Sequence, residues 1–403
     1  MKEAKLREKI RTYLEELCLK IPNRHVGSPG NRAATGFFAK TVASFGFDTT
    51  CPEFECIDWE YGEVQLQAGQ ETLAAFVSPY SLSCHLTAPL VEVSTLPALE
   101  NMDLSGQIVL IRGELAKEQL IPKNFPFYIP VTYPELGQLL EQQRPAAIIA
   151  ATQKNPELAG ALYPFPLIED GDFDIPSVYM TDETGQRLSA YAGANITLNF
   201  ESRRIPARGC NVIATKGAPD SAKLVFCAHI DAKKNTPGAL DNATGIATLL
   251  ALAELLADYS GSLGVEIVAL NGEDYYAAPG QIQYLTMNEA GLALILLAIN
   301  LDLAGYHQSN TIYSLFGCPK PMAQQLKQIL GAGHNLLEGE PWYQSDHSIF
   351  ISKQIPAVAI TSENFMELSA RVTHTPQDTL ELVDSQKLVD IAYALRDVVQ
   401  TLA

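Results

Sequence analysis

Histidines and carboxylates follow apolar runs in the second half of this 403-residue chain. The runs AKLVFCA, EIVALNG and LILLAINL are each followed at once by such residues: His229, Asp231, Glu273, Asp274 and Asp302. Asp241 lies in PGALDNATG, and His374 lies in THTPQDT. Charges at the ends of buried segments need an opposite charge or a metal ion to offset their desolvation.

Five of these residues offer nitrogen and oxygen ligands without sulfur: His229, His374, Asp241, Asp274 and Asp302. A catalytic zinc ion takes about three protein ligands and a water molecule. Five ligands are too many for one ion, but they fit two ions if one carboxylate bridges them. Such ligands suit zinc, so we expect two Zn²⁺ per chain, with Co²⁺ or Mn²⁺ as alternatives, and water activation for hydrolysis.

Glu273 differs from these five residues in its expected role. Neighbouring residues on an extended chain point to opposite sides, so Glu273 can face the open side while Asp274 contacts metal. There it can take a proton from the attacking water. Taken singly, an HxD in a strand is more often a satisfied core histidine, and a Glu-Asp turn is usually solvated. Four such groups of charged residues, all at the ends of predicted strands, favour the interpretation as a functional site.

The elements that must position these residues are strands alternating with helices. Strands are predicted at 222–228, 264–270, 293–301 and 356–361, and helices at 2–20, 243–258, 320–330 and 386–402. The strands are apolar throughout, which is typical of a parallel sheet covered on both faces. The prediction is an α/β fold with a doubly wound, mostly parallel sheet and helices on both faces. Ligands bind such sheets beyond the carboxyl ends of the strands.

Residues 54–206 have a different pattern, with clustered prolines and short apolar or alternating runs. This pattern predicts a β-rich domain, with one or two helices, inserted into the first domain. The expected organisation is therefore a catalytic domain of 1–53 and 207–403 with an insert of 54–206.

Composition excludes some partners. The net charge of −18, from 28 basic and 46 acidic residues, argues against nucleic acid and anionic membrane, since both need a cationic surface. The N-terminus lacks an apolar signal core, and no run is long enough to span a membrane. Seven scattered cysteines without a CxxC pair indicate reduced thiols and a cytoplasmic protein. The oligomeric state stays open.

Together, six motifs resemble the M28 family of co-catalytic zinc aminopeptidases: HID (229–231), GALDNATG (238–245), NGED (271–274), NLDLAG (300–305), SDHSIF (345–350) and HTPQDT (374–379). The resemblance implies a zinc exopeptidase-like fold. It also implies that His229 and Asp302 hold one zinc, that Asp274 and His374 hold the other, and that Asp241 bridges them. By the same resemblance, Glu273 is the base and Asp231 orients His229 through its second ring nitrogen.

The insert resembles the protease-associated (PA) domain of many M28 members, on GQIVLIRGE, AAIIAA and IPSVYMTDETGQRL. Two departures from the family affect the site. Glu273-Asp274 replaces the usual Glu-Glu pair, and YYAAPGQ (275–281) replaces a glycine-rich segment. Aspartate is an equally good oxygen ligand, whereas the tyrosines leave the substrate preference open.

The expected function is a metal-dependent aminopeptidase that acts on peptide substrates with a free N-terminus, through a dinuclear zinc-activated water and Glu273. The alternatives are a glutaminyl cyclase-type reaction, another exopeptidase such as a carboxypeptidase or dipeptidase, and a metal-free receptor or scaffold homologue. A carboxypeptidase needs a cationic cluster, and Arg371 is the one arginine close to the motifs. The complete set of ligands and base argues against a scaffold.

Overall fold

The computed structural model describes residues 3–21, 23–125, 135–152, 164–218, 221–331, 334 and 336–402. The chain divides into two compact units. Unit 1 comprises Met1–Cys56, Arg208–Leu368 and Val372–Ala403, and unit 2 comprises Ile57–Ala207 and Ser369–Arg371. Most of unit 2 is thus an insertion in the sequence of unit 1.

Among the described residues, eight strands form the sheet of unit 1: β1 (Asp48–Thr50), β2 (Val212–Lys216), β3 (Lys223–His229), β4 (Gly264–Leu270), β5 (Ile295–Leu301), β6 (Thr311–Phe316), β7 (Leu336–Glu338) and β8 (Ala357–Ser362). Their order is β1-β2-β4-β3-β5-β8-β6-β7. The central strands β4, β3, β5 and β8 are parallel. Towards the edges, β1, β2 and β6 make antiparallel pairs. The predicted fold class and the four predicted strands are confirmed.

The central strands are apolar because both of their faces are covered. Every residue of β3 after Lys223 is buried, and so is every residue of β8. The helices of unit 1 include Glu3–Glu15, Pro29–Ala43, Thr244–Leu255, Pro279–Met287, Lys320–Gly331, His347–Ile351 and Ser385–Leu402. The first ten residues of Thr244–Leu255 are all buried, as expected of a helix that is apolar all round. This helix packs against Glu3–Glu15 and Ser385–Leu402.

Unit 2 is rich in β-structure, as its sequence predicts. Its mixed sheet consists of Gln65–Ala68, Glu71–Leu73, Phe76–Val77, Cys84–Val93, Ile108–Ile111, Ala147–Thr152, Ser177–Thr181 and Asn195–Phe200. The α-helices in the described part of this unit are Leu96–Glu100, Glu135–Gln143 and Asp182–Ser189. Its resemblance to a protease-associated domain stays a prediction.

Two further expectations can be compared with the structure. None of the seven cysteines, all of which lie in the described part of the chain, forms a disulfide, and the reduced state stays a prediction. Within the part of the chain that the structure describes, none of the helices combines the length and the apolar character needed to cross a bilayer.

Candidate metal centre

Three parallel strands of unit 1 end at the same edge of the sheet and bring charged residues there. His229 is the last residue of β3, and Asp302 directly follows β5. Glu273 and Asp274 lie in the loop after β4. Ligands bind open α/β sheets at this edge, and the structure brings these residues together there.

Asp241 stands between two histidine–carboxylate pairs. Its Oδ1 lies 3.1 Å from Nε2 of His229, whereas its Oδ2 lies 3.2 Å from Nε2 of His374. The same nitrogen of His229 lies 3.6 Å from Oδ1 of Asp302. Nε2 of His374 lies 2.7 Å from Oδ1 of Asp274. The two oxygens of one carboxylate are therefore directed at two separate groups of ligand atoms.

The side-chain atoms of these residues fit metal ions. Three of their buried atoms have no hydrogen-bond partner: Nε2 of His229, Oδ2 of Asp274 and Oδ1 of Asp302. Atoms bound tetrahedrally at zinc distances lie about 3.3 Å from one another, close to the separations around Asp241. Ligand atoms of His229, Asp241 and Asp274 also lie within 4.8 Å of one another. A cation would supply the partner that these buried atoms lack.

The electrostatics of the site call for added positive charge. Burial lowers the pKa of His229, but the nearby carboxylates of Asp231, Asp241 and Asp302 outweigh it and bring this pKa well above its ordinary value. Burial likewise lowers the pKa of His374, and carboxylates again reverse the direction. The carboxylates thus favour positive charge on both imidazoles, and bound cations would supply such charge in their place.

Glu273 has a different environment from the residues that face Asp241. Its side chain is partly exposed. Loss of hydration raises its pKa well above the ordinary value, and the nearby charges of Asp302 and Asp274 raise it further. A carboxyl group with a raised pKa can accept and release a proton near neutral pH.

Asp231 contacts His229 differently from the expectation. The ring Nδ1 of His229 lies 3.2 Å from the backbone carbonyl of Asp231 but 3.7 Å from its carboxylate Oδ1. The carboxylate instead accepts the backbone N–H groups of Gly272, at 2.8 Å, and Asp274, at 3.0 Å. Its main hydrogen bonds therefore fix the loop that carries Glu273 and Asp274.

Asp378 does the same for the loop of Asp241. Its two carboxylate oxygens accept the backbone N–H groups of Leu240, at 2.8 Å, and Asp241, at 3.0 Å. Asp378 is buried. It therefore holds the backbone of Asp241 and does not contact its carboxylate.

The helix after Asp241 begins at a tightly packed turn. The side chain of Asn242 accepts the backbone N–H of Gly245 at 3.1 Å, as expected of a helix cap, and donates to the carbonyl of Leu301 at 2.7 Å. A Cβ atom on Gly245 would lie 2.5 Å from Oδ1 of Asn242. The GALDNATG motif thus combines a ligand, a cap and a glycine required by close packing.

Two further polar residues near the site are fully buried. Asp346 is fully buried, and its Oδ1 accepts a hydrogen bond from Gln281 at 2.8 Å; its sequence gave no signal beyond the SDHSIF motif. Burial raises the pKa of Asp346 to about 7. His347 is also fully buried, and its Nε2 lies 2.7 Å from the backbone carbonyl oxygen of Trp342.

Aromatic residues from two motifs divide between core and surface. Tyr275 and Tyr276 are buried, with ring centroids 4.6 Å apart. Trp342 is buried against His347, whereas Tyr343 is 55% exposed. Of these four rings, that of Tyr343 is therefore the accessible one.

Comparisons with known proteins identify relatives of this chain in sequence and in fold. A probable lipoprotein aminopeptidase, LpqL of Mycobacterium tuberculosis, is 26% identical over 293 residues, which cover 70% of this chain and 54% of that protein. This chain thus spans about half the length of that relative.

Two solved structures share the fold. An aminopeptidase from Aneurinibacillus sp. strain AM-1 is 20% identical with a TM-score of 0.76, and the match covers 98% of this chain and 93% of that one. BSAP, a zinc aminopeptidase from Bacillus subtilis, is 18% identical with a TM-score of 0.75, and covers 98% and 94%. The model of Peptidase family M28 matches residues 211–399, which include every candidate ligand. For residues 211–399 this match confirms the resemblance to the M28 family that the sequence motifs indicated.

Proposed function

We propose that this protein is a metal-dependent aminopeptidase that hydrolyses N-terminal residues from peptides. The observation that carries the proposal is the position of Asp241 between two histidine–carboxylate pairs. The relatives support the substrate class, because LpqL is described as a probable lipoprotein aminopeptidase and both solved structures are of aminopeptidases.

The distances around Asp241 support a division of the ligands between two zinc ions. His229 and Asp302 would hold one ion, His374 and Asp274 would hold the other, and Asp241 would contribute one oxygen to each. Cobalt or manganese would suit the same ligands. When bound, a pair of such ions makes water a stronger nucleophile and polarises the carbonyl group of the substrate.

Glu273 would move the proton in this reaction. Its partly exposed side chain lies close enough to Asp274 and Asp302 for their charges to raise its pKa. In the proposed step, Glu273 takes a proton from water while the water oxygen bonds to the peptide carbonyl carbon. It then gives that proton to the nitrogen of the leaving amine as the carbon–nitrogen bond breaks.

A panel of aminoacyl p-nitroanilides tests the activity. We expect release of p-nitroaniline that a chelator abolishes and that zinc restores. The matched N-acetyl substrates should remain intact, because an aminopeptidase requires a free amine. Hydrolysis that persists in chelator would contradict metal dependence. Cyclisation of N-terminal glutamine without hydrolysis of the panel would favour the glutaminyl cyclase alternative.

Glu273→Gln separates the base from the metal ligands. The amide keeps the shape of the side chain but cannot accept the proton. We expect both zinc ions to remain bound, while kcat falls by about 10²–10⁴-fold. Unchanged turnover would remove Glu273 from the proposed mechanism. The cytoplasmic location likewise stays a prediction, and fractionation of cells that produce the protein would test it.

A further inference from the structure

A polar segment near the N-terminus, residues 23–31 (NRHVGSPGN), reaches both loops that carry the candidate metal ligands. Arg24 is only 2% exposed. Its guanidinium group donates hydrogen bonds to the backbone carbonyls of Leu17 (2.8 Å), Ile230 (3.3 Å), Pro237 (2.8 Å) and Gly238 (2.8 Å). Three of these four carbonyls belong to the loop 230–238, which connects His229 to Asp241.

The chemistry of arginine suits this position. A guanidinium group presents five N–H donors in one rigid plane, so it can hold several carbonyls in fixed relative positions. The side chain of Asn23 adds a further contact, because its Oδ1 accepts the backbone N–H of Asn235 at 3.0 Å. The loop 230–238 is thus held along most of its length by two residues of the segment.

Asn31 holds the second loop. Its amide and that of Asn271 donate to each other, at 2.8 and 2.9 Å. Both residues are fully buried. Asn31 also donates to the backbone carbonyl of Arg24 at 3.0 Å, which connects the two contacts. Asn271 begins the NGED motif, two residues before Glu273.

We propose that Arg24 and Asn31 are positioning residues of the metal centre. Arg24 fixes His229 relative to Asp241, and Asn31 fixes the loop of Glu273 and Asp274. This inference rests on the proposed function, which assigns metal ions to these side chains. Neither residue contacts metal or substrate in the proposed arrangement; both act through the backbone of the loops.

The two residues should have different effects on metal binding. Asp241 contributes to both ion positions, so loss of the Arg24 contacts should weaken the binding of both ions. The loop fixed by Asn31 carries Asp274, which contributes to one position. Loss of the Asn31 contact should therefore weaken the ion beside His374 and leave the ion beside His229 almost unchanged.

Zinc affinities of Arg24→Lys and Asn31→Ala test the proposal. Lysine keeps the charge but cannot hold the same set of carbonyls. The matched control is Arg204→Lys in unit 2, because Arg204 similarly donates to the carbonyls of Tyr80 and Phe173. The two zinc affinities of each full-length protein are measured by competition with a chromophoric chelator. The visible spectrum of the cobalt-loaded protein reports the geometry of the centre.

We expect zinc binding to weaken about 10–100-fold, as is typical when groups that support metal ligands are changed. In Arg24→Lys this applies to both ions, and in Asn31→Ala to the ion beside His374. Their cobalt spectra should shift, and with saturating zinc kcat should fall more than KM changes. Arg204→Lys should keep native affinities and spectrum even if its unfolding temperature falls. Such a result would separate positioning from general stability.

Native zinc affinities and spectra in folded Arg24→Lys and Asn31→Ala would overturn the proposal. If Arg24→Lys does not fold in saturating zinc, Asn31→Ala decides, and selective loss of one ion is then the supporting result. The unchanged protein is measured first. If it binds no zinc, the proposed function fails; if it binds two ions that the variants bind equally well, only the positioning role fails.

Discussion

The carboxylate of Asp231 accepts the backbone N–H of Asp274 at 3.0 Å. Asp231 lies two residues after the candidate ligand His229, so the same segment also fixes the loop of Asp274, which lies on the other side of Asp241. The second oxygen of Asp231 accepts the N–H of Gly272 at 2.8 Å. The two halves of the metal centre are therefore coupled through backbone contacts as well as through the shared carboxylate.

Asp231→Asn should weaken this coupling. The carboxylate accepts two backbone N–H groups, but the side-chain amide of asparagine has only one oxygen. Its NH₂ group cannot accept the second backbone N–H, so one hydrogen bond is lost. We expect zinc affinity or kcat to fall by about 10–100-fold, measured by chelator competition and p-nitroanilide hydrolysis.

The matched control for Asp231 is Asp170→Asn. Asp170 lies in unit 2 and accepts the backbone N–H groups of Lys123 (2.7 Å) and Asp172 (2.8 Å) in the same manner. This variant should lose stability without a change in zinc affinity. Equal effects of the two substitutions on zinc binding would show that Asp231 has no special connection to the metal centre.

Asp241→Ala should remove both metal ions, because each of its oxygens is directed at a different histidine. Asp302→Asn should mainly weaken the ion beside His229, since Asp302 lies close to that histidine. Metal content after gel filtration, measured by mass spectrometry, distinguishes the two variants. Stoichiometric retention of two ions by Asp241→Ala would contradict the bridging role.

The metal-free protein should lose stability as pH rises above about 6.5, the ordinary pKa of histidine. The folded protein raises the pKa values of His229 and His374, mainly because carboxylates outweigh the effect of burial. It therefore binds protons more tightly than the unfolded chain. The resulting stability is fully present below the unfolded pKa and is lost as pH rises through the folded values.

Urea denaturation at several pH values checks this expectation. Each imidazole proton that the folded chain retains and the unfolded chain has lost contributes a decline of about 1.4 kcal/mol per pH unit. Zinc should reverse the trend, since metal ions bind deprotonated imidazoles and replace the protons. A free energy of unfolding that does not fall between pH 6.5 and 8.5 in chelator would contradict the charge arrangement described for the site.

Gly238→Ala should disturb the metal centre through its backbone. Gly238 has a φ of +57°, and a Cβ atom there would lie 2.5 Å from the carbonyl oxygen of Asp241 and 2.7 Å from Nη2 of Arg24. Gly106→Ala is the matched control, because Gly106 has a φ of +71° but no atom within 4 Å of a built Cβ.

We expect Gly106→Ala to cost only the strain of a left-handed alanine, about 1–2 kcal/mol. Gly238→Ala should cost more in unfolding free energy and should also lower zinc affinity. Thermal denaturation and chelator competition measure the two effects. Equal destabilisation by both substitutions, with native zinc binding, would mean that the turn at 238 adjusts without affecting Asp241.

The fold and the gathering of charged residues were predictable from the sequence for a simple physical reason. Buried parallel strands are apolar throughout, so β3, β4 and β5 could be recognised in the sequence as apolar runs. The carboxyl ends of parallel strands also share one edge of the sheet. His229, Asp302 and the Glu273–Asp274 pair could therefore be placed together. The division of the ligands between two ions came from the family resemblance instead.

The supporting contacts were not predictable in the same way. Arg24 and Gly238 are 214 positions apart in the chain, and Asn31 and Asn271 are 240 apart; such pairs leave no periodic pattern. The hydrogen-bond partners of a carboxylate such as that of Asp231 depend on which backbone N–H groups a neighbouring loop presents. Strand β6 was missed because polar residues interrupt its apolar sequence, TIYSLF, and its antiparallel pairing with β8 is fixed by tertiary structure.

The distribution of the site along the chain has a consequence for biosynthesis. A ribosome releases Arg24 long before His229, and the whole of 57–207 is made between them. His374 follows 133 positions after Asp241, so under the proposed ligand assignment a nascent chain would contain the ligands of one ion position before those of the other. Binding of two ions would then have to wait until translation has passed His374, and stalled products shorter than this should carry no complete pair.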